Sequence, residues 1–130
     1  MDLKHTIEHH ILDTVWSTLS LGGSLEASSA RERAYSYYGF EVGPGLSTFW
    51  PASTCLLGAR VALGARKYGA ADPFFGERRS DKRTRIEASI GNKRWRWRDS
   101  SLTLVASLER NDSSIGFYSY RKANVSVVVE

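Results

Sequence analysis

Cysteine, proline and long apolar runs are scarce in this sequence, and each scarcity excludes a class of protein. The single cysteine, Cys55, rules out an intramolecular disulfide, and its place in an apolar phase favours a packed thiol over a reactive one. No run approaches about 18 apolar residues, so a transmembrane helix is excluded. The first 14 residues carry charges and all three histidines instead of an apolar core, so this chain contains no secretory signal peptide.

Catalytic and metal-binding patterns are also missing. His5 and His9 have helical spacing around Glu8, but they lack the order of a zinc-protease motif, so an exposed polar segment is the preferred interpretation. Neither a nucleophile elbow nor a phosphate-binding glycine loop occurs. We therefore expect no enzyme activity, no metal and no cofactor.

What the sequence does contain is alternation with a period of two. Apolar side chains occupy every second position, and glycine, serine and charged residues fill the positions between them. The clearest segment sets Leu57 and Val61 against Gly58 and Arg60. Counting such segments from Val15 onward predicts an all-β fold, an antiparallel meander of about six long strands.

Two features favour a membrane setting for these strands. Several exceed about ten residues, whereas strands of soluble proteins average about 5–6 and a tilted membrane strand needs about 9–11. Turns near 51–53 and 98–101 alternate with longer segments at 69–81 and 111–117, as in outer-membrane barrels. The apolar face is then expected to contact outer-membrane lipid. Residues 1–14 lack the alternation and are predicted to be a short helical or irregular lead-in.

The predicted strands are too few to close a membrane barrel, whose smallest examples have about eight. An open sheet would leave the N–H and C=O groups of its edges unpaired in lipid. We therefore expect residues 15–130 to be the C-terminal fragment of a transmembrane β-barrel domain, completed by chain outside this sequence.

Aromatic residues gather near the predicted strand ends. Tyr and Trp rings prefer the headgroup level of a bilayer, so they form girdles at both rims of a membrane barrel. Rings that close the ends of a soluble core are the alternative interpretation. The predicted girdle consists of Trp16, Trp50, Tyr68, Trp95, Trp97, Tyr118 and Tyr120.

Three motifs stand out: GAADPFFGERRSDKR at 69–83, NKRWRW at 92–97 and LTLVASLERNDSSIGFYSYRKANVSV at 102–127. With them the chain resembles, over roughly 19–129, the C-terminal barrel of the surface lipoprotein assembly modifier family. The resemblance implies a periplasmic tetratricopeptide-repeat domain fused to an outer-membrane barrel, and a role in moving lipoproteins to the bacterial cell surface. The loop residues expected to make extracellular contacts are Asp72, Pro73, Phe75, Gly76, Arg78, Arg79 and Asp81.

The resemblance further implies client lipoproteins as partners, together with remaining barrel strands and a repeat domain that this chain lacks. The chain also ends at Glu130, without the terminal aromatic residue that barrel strands usually present to the assembly machinery. Both departures predict an incomplete fragment located in the bacterial outer membrane.

The excess of cations, a net charge of +4, leaves two interpretations open. Arg78, Arg79, Lys82, Arg83 and Arg85 could bind anionic lipopolysaccharide, or they could form ion pairs within the loop. A basic β-domain that stacks single-stranded nucleic acid on Trp95 and Trp97 is a further interpretation. A nucleic-acid partner is nevertheless not expected, because charge-rich connecting regions are the preferred interpretation of the cations. A small soluble β-barrel that binds an apolar ligand inside stays as the alternative function.

Overall fold

The computed structural model describes residues 2–97 and 100–129, which fold into one antiparallel sheet. Seven strands lie in sequence order, so each pairs with its neighbours along the chain. They are β1 (Asp2–Asp13), β2 (Ser17–Ser28), β3 (Tyr37–Trp50), β4 (Cys55–Ala71), β5 (Arg78–Trp97), β6 (Ser100–Ser113) and β7 (Tyr120–Val129). The helical segments among the described residues are short 3-10 turns, Arg33–Tyr35 and Gly116–Tyr118. None of them is long and apolar enough to span a membrane.

The all-β meander predicted from the alternation is confirmed, but the prediction for residues 1–14 is wrong. Asp2–Asp13 forms β1 and pairs with β2 along its whole length. His5 and His9 fall in the same phase as Ile7, which hides the alternation on which sequence counting depends. Main-chain hydrogen bonds to β2 do not require apolar side chains, so the strand forms nevertheless. The sheet therefore has one strand more than expected.

The connections alternate in length as predicted, although one is shorter than expected. Most of the segment 69–81 is strand, because β4 continues to Ala71 and β5 begins at Arg78. We call the end of the sheet with the longer connections the loop rim and the opposite end the turn rim. The loop rim comprises connections 29–36, 72–77 and 114–119, and the turn rim comprises 14–16 and 51–54.

The register sorts the side chains onto two unlike faces. Directly paired residues share a face, and consecutive residues of a strand alternate between faces. Glu41, Arg83 and Asn111 lie in one cross-strand row, while their chain neighbours Val42 and Thr84 lie in a row on the other side. We call the first side the polar face and the second the apolar face.

Burial follows the polar face. The buried side chains of the described strands are Ser20, Ser24, Ala62, Tyr68, Asp81 and Asn111. On the apolar face, by contrast, Leu57, Val61, Ile86 and Leu104 stay 37–49% exposed. The sheet therefore curves around its polar face, and the described residues form no sealed apolar interior.

Candidate functional site

The turn between β4 and β5 is built on Asp72. Its Oδ1 accepts hydrogen bonds from the backbone N–H groups of Phe74 (2.9 Å) and Phe75 (3.3 Å), which makes an Asx turn. The Gly76 N–H closes the turn by donating to the Asp72 carbonyl at 2.8 Å. Gly76 has a φ of +69°, a left-handed conformation that favours glycine. Pro73 is exposed in the same turn.

The same carboxylate joins this turn to the connection between β6 and β7. The Tyr118 hydroxyl donates to Asp72 Oδ2 at 2.7 Å across 46 positions of sequence. This hydrogen bond, helped by the two backbone N–H groups, holds the pKa of Asp72 below its usual range. It also raises the pKa of Tyr118, because the ionised phenol would lose its donor proton beside a carboxylate. The two connections are thereby fixed to each other.

Arg79 is held between two tyrosine rings beneath these connections. Its guanidinium carbon lies 4.5 Å from the centroid of the Tyr68 ring and 3.9 Å from that of the Tyr118 ring. Its Nε and Nη2 donate to the two carboxylate oxygens of Asp81 at 2.9 and 2.5 Å, which is a bidentate pair. Asn111 completes the arrangement by donating from Nδ2 to the Tyr118 carbonyl at 3.1 Å.

We call this group of contacts the loop-rim cluster, and it presents apolar rings to its surroundings. The cluster consists of Tyr68, Asp72, Arg79, Asp81, Asn111 and Tyr118. Phe75 packs against Tyr118 and against Phe117, with ring centroids 6.1 and 5.9 Å apart, while Phe74 and Phe117 remain 83% and 79% exposed. The predicted loop contacts include two cations, Arg78 and Arg79. Arg79 belongs to the loop-rim cluster, whereas Arg78 is exposed and lies outside it.

Ion pairs cross the polar face below the loop-rim cluster. Arg85 lies 2.9 Å from Glu109 and 3.8 Å from Glu41, and Arg83 lies 3.7 Å from Glu109. The Tyr120 hydroxyl donates at 2.5 Å to Glu109 Oε1, the oxygen that faces Arg83, whereas Arg85 contacts Oε2. The further pairs on this face are Arg66 with Glu26 and Lys4 with Glu26. The ion-pair interpretation of the basic segment is therefore confirmed for Arg79, Arg83 and Arg85.

A groove of about 160 Å³ opens on the polar face and is bordered by β1 to β5. Its walls include Gly22, Glu41, Arg60, Arg85 and Glu87, so both signs of charge line it. Such a groove suits water and small polar groups. It does not provide the apolar interior that a soluble ligand-binding barrel would need.

Comparison with known proteins identifies the domain. The family model described as surface lipoprotein assembly modifier matches residues 10–130, which include β2 to β7 and the whole loop-rim cluster. The chain belongs to the surface lipoprotein assembly modifier family. No curated protein and no solved structure matches it. The resemblance carried by the motifs at 69–83, 92–97 and 102–127 is thus confirmed.

The predicted girdle residues lie at both rims but do not share one face. The exposed tryptophans at the turn rim are Trp16, Trp50 and Trp95. Tyr68 and Tyr120 instead lie on the polar face, and Tyr118 belongs to the loop-rim cluster, while the girdle itself stays a prediction. The side chain of Trp97 lies outside the described part of the structure.

Tyr37, which the sequence places only among the aromatic residues near the strand ends, extends the cluster onto β3. The Arg66 guanidinium carbon lies 4.7 Å from the centroid of the Tyr37 ring, and the centroids of the Tyr37 and Tyr68 rings are 5.4 Å apart. These contacts follow from the register, which pairs Tyr37 with Tyr68 and Gly39 with Arg66. That register, however, becomes known only once the two strands are aligned.

Proposed function

We propose that this chain is a wall segment of an outer-membrane β-barrel that assists the export of lipoproteins to the bacterial cell surface. One observation carries the proposal: the exposed face of the sheet is apolar and the buried face is polar. A water-soluble sheet buries its apolar face against other elements. The inverse arrangement suits a barrel whose outside meets lipid and whose lumen is wet.

Strand length supports the same proposal. β4 and β5 contain 17 and 20 residues, whereas about 9–11 residues suffice for a tilted strand to cross the hydrocarbon core. On the apolar face of β4, the uncharged side chains run from Leu57 through Val61 to Leu63, and a charge first follows at Lys67. The strands are therefore long enough to cross the core and to extend beyond it at the loop rim.

The open sheet supports the proposal that further strands complete the barrel. β1 and β7 are the outer strands of the described sheet, and each is paired on one side only. Lipid cannot satisfy the N–H and C=O groups of such edges. We propose that the rest of the full-length protein supplies these strands. Because short turns are periplasmic in bacterial barrels, the tetratricopeptide-repeat domain would then lie on the side of the turn rim.

The loop-rim cluster supports a contact with client lipoproteins at the extracellular end. Asp72 and Arg79 hold the two connections in one arrangement, so the exposed rings of Phe74 and Phe117 are presented with little further loss of conformational freedom. A preorganised apolar surface binds a partner at lower entropic cost than a mobile loop does. We propose that clients engage this surface during their assembly.

Two neighbouring residues of β6 provide the test of the membrane assignment. Ala106 lies on the apolar face, and Ser107 lies on the polar face opposite Glu87. In the full-length protein, Ala106→Arg is expected to cost about 2–4 kcal/mol near the bilayer centre and so to reduce the folded protein in outer-membrane fractions and the surface display of a client lipoprotein. Ser107→Arg is the matched control, because its cation gains Glu87 as a partner and both readouts should persist.

The outcomes separate the parts of the proposal. Equal assembly of the two variants would show that the apolar face does not meet lipid. A folded full-length protein that stays in solution without detergent would exclude the outer-membrane location. Normal surface display of lipoproteins in cells that lack the protein would exclude the export role.

A further inference from the structure

Four cations, on β4 to β7, lie among the side chains of the apolar face near the loop rim. Val61, Ile86 and Leu108 lie side by side in one cross-strand row of this face. In the next row toward the loop rim, Arg110 pairs directly with Arg121. Two further cations of the same face, Lys67 and Lys82, lie beyond it and are exposed.

The two arginines are placed against each other without enough negative charge. Directly opposite like charges destabilise an antiparallel pair. Asp112 is the anion that faces them, and it lies 2.8 Å from Arg110 Nε while both of these side chains are about half exposed. Within residues 2–97 and 100–129, no carboxylate lies within ion-pair distance of Arg121 or Lys82. Asp112 therefore neutralises Arg110 and lies opposite Lys82 in the register, while Arg121 has no ion-pair partner among the described residues.

An apolar hollow lies directly below this pair of arginines. Its volume is about 640 Å³, and its apolar walls are Ile86, Leu108 and Ala123. Its charged border consists of Arg110, Arg121 and Lys122 together with the carboxylates Glu109 and Asp112. The hollow thus joins a hydrocarbon-compatible floor to a cationic upper border. This combination matches a molecule that has an anionic head directly attached to alkyl chains.

We propose that this surface binds a phosphorylated glycolipid of the outer leaflet, with its phosphates between Arg110 and Arg121 and its acyl chains over Ile86 and Leu108. The inference rests on the proposed function, because it requires the apolar face to lie in the bilayer. A phosphate between the two guanidinium groups removes their repulsion and accepts forked hydrogen bonds from both. Lys82 adds attraction from the neighbouring strand.

The structure also separates these cations from those already neutralised on the polar face. Arg79, Arg83 and Arg85 lie within ion-pair distance of Asp81 or Glu109. They are therefore not the groups that would recruit a lipid phosphate. Within the basic segment, the cation available to a lipid phosphate is Lys82, which lies on the apolar face.

Two arginines on opposite faces of the sheet provide a matched pair of variants for the test. Arg121 lies on the apolar face beside the hollow, and Arg60 lies on the polar face opposite Glu87, where it borders the polar groove. The full-length protein in mild detergent would be titrated with bisphosphorylated lipid A, dephosphorylated lipid A and phosphatidylglycerol, and binding would be followed by native mass spectrometry. Arg121→Gln is expected to weaken binding of bisphosphorylated lipid A roughly tenfold, and Arg110→Gln with Arg121→Gln further, while Arg60→Gln leaves it unchanged.

The wild-type protein is expected to prefer bisphosphorylated lipid A to both other lipids. Equal binding of the phosphorylated and dephosphorylated forms, equal binding of phosphatidylglycerol, or equal effects of Arg121→Gln and Arg60→Gln would each overturn the inference. Fractionation of the wild-type protein with the outer membrane is measured separately. If the protein fractionates correctly and lacks the preference, the glycolipid site alone fails, whereas absence from the outer membrane overturns the proposed function as well.

Discussion

Asp72 is the residue on which the order of the loop rim depends. Its carboxylate accepts two hydrogen bonds from the backbone of its own turn and one from the Tyr118 hydroxyl. These donors stabilise the charged form, so the folded protein binds a proton at Asp72 less readily than the unfolded chain does. The contact to Tyr118 therefore needs a charged acceptor and a neutral donor at the same pH.

Both acid and alkali should loosen this contact. Because the pKa of Asp72 is lowered on folding, its stabilising contribution is full above the unfolded value of about 3.9 and is lost as pH falls through the folded value. Because the pKa of Tyr118 is raised, its contribution is full below about 10 and is lost as pH rises through the folded value. Hydrogen-exchange protection factors in 72–77 and 114–119 are expected to be highest between these limits.

The variant Tyr118→Phe removes the donor and keeps the ring. It should lower protection in both connections at neutral pH and abolish the alkaline loss, because no phenol remains to ionise. Tyr35→Phe is the control, since Tyr35 is exposed in connection 29–36 and its hydroxyl makes no hydrogen bond with the described residues. Wild-type protection in Tyr118→Phe would show that the hydrogen bond does not order the loop rim.

Sequence alone predicted the turn at this site but not its partners. Asp72, Pro73 and Gly76 act within a few residues of one another, so local turn chemistry identifies them. Tyr118 reaches Asp72 from 46 positions away, and only the register of the strands brings the two together. For the same reason, the sequence left open whether Arg79 binds lipopolysaccharide or forms an ion pair. The choice depends on the face of the sheet on which that arginine lies.

At the scale of elements, the backbone of β4 leaves no room for a side chain at Gly43 of β3. A Cβ atom at this position would lie 1.8 Å from the Val61 carbonyl oxygen and 2.7 Å from Ala62 Cα. No other residue type fits there without moving the backbone of β4. The missing side chain lets the two strands come together on the polar face, around which the sheet curves.

Gly43→Ala is accordingly expected to force the two strands apart. Crowding of this kind costs about 1–3 kcal/mol, which should lower the urea midpoint of the full-length protein in detergent. Gly23→Ala is the matched control, because a Cβ atom on Gly23 would meet its nearest described neighbour, the Glu41 carbonyl oxygen, at 3.8 Å. Equal midpoints for the two variants would mean that the approach at Gly43 does not matter for stability.

Elements were predictable where apolar residues alternate without interruption, as on β4. They were missed where polar residues take the apolar phase, as His5 and His9 do on β1. The predicted strands were too short where charged residues alternate within a strand. The basic residues 78–85 were expected in a connection, yet they form the start of β5, because acidic partners such as Asp81 and Glu109 accept the inward arginines.

At the scale of the whole molecule, the described sheet has two features that are unfavourable in water. Its apolar face is exposed, and the outer edges of β1 and β7 are unpaired in the described residues. A bilayer or a detergent micelle covers the apolar face. Neither can satisfy the edge N–H and C=O groups, and each group left without a partner in hydrocarbon costs several kcal/mol. Hydrogen bonds from other strands are therefore required.

The 130-residue chain refolded in detergent should obtain these hydrogen bonds from other copies of itself. Edges that are long and unpaired act as templates for further strands, so β1 of one copy is expected to pair with β7 of the next. Size-exclusion chromatography with light scattering should then show oligomers that grow with protein concentration. A longer protein that carries the proposed additional strands is the control and should stay monomeric, because those strands would pair with both edges. A chain that keeps its β content as a monomer at every concentration would show that its edges need no partner, and the completed-barrel proposal would then lose its physical basis.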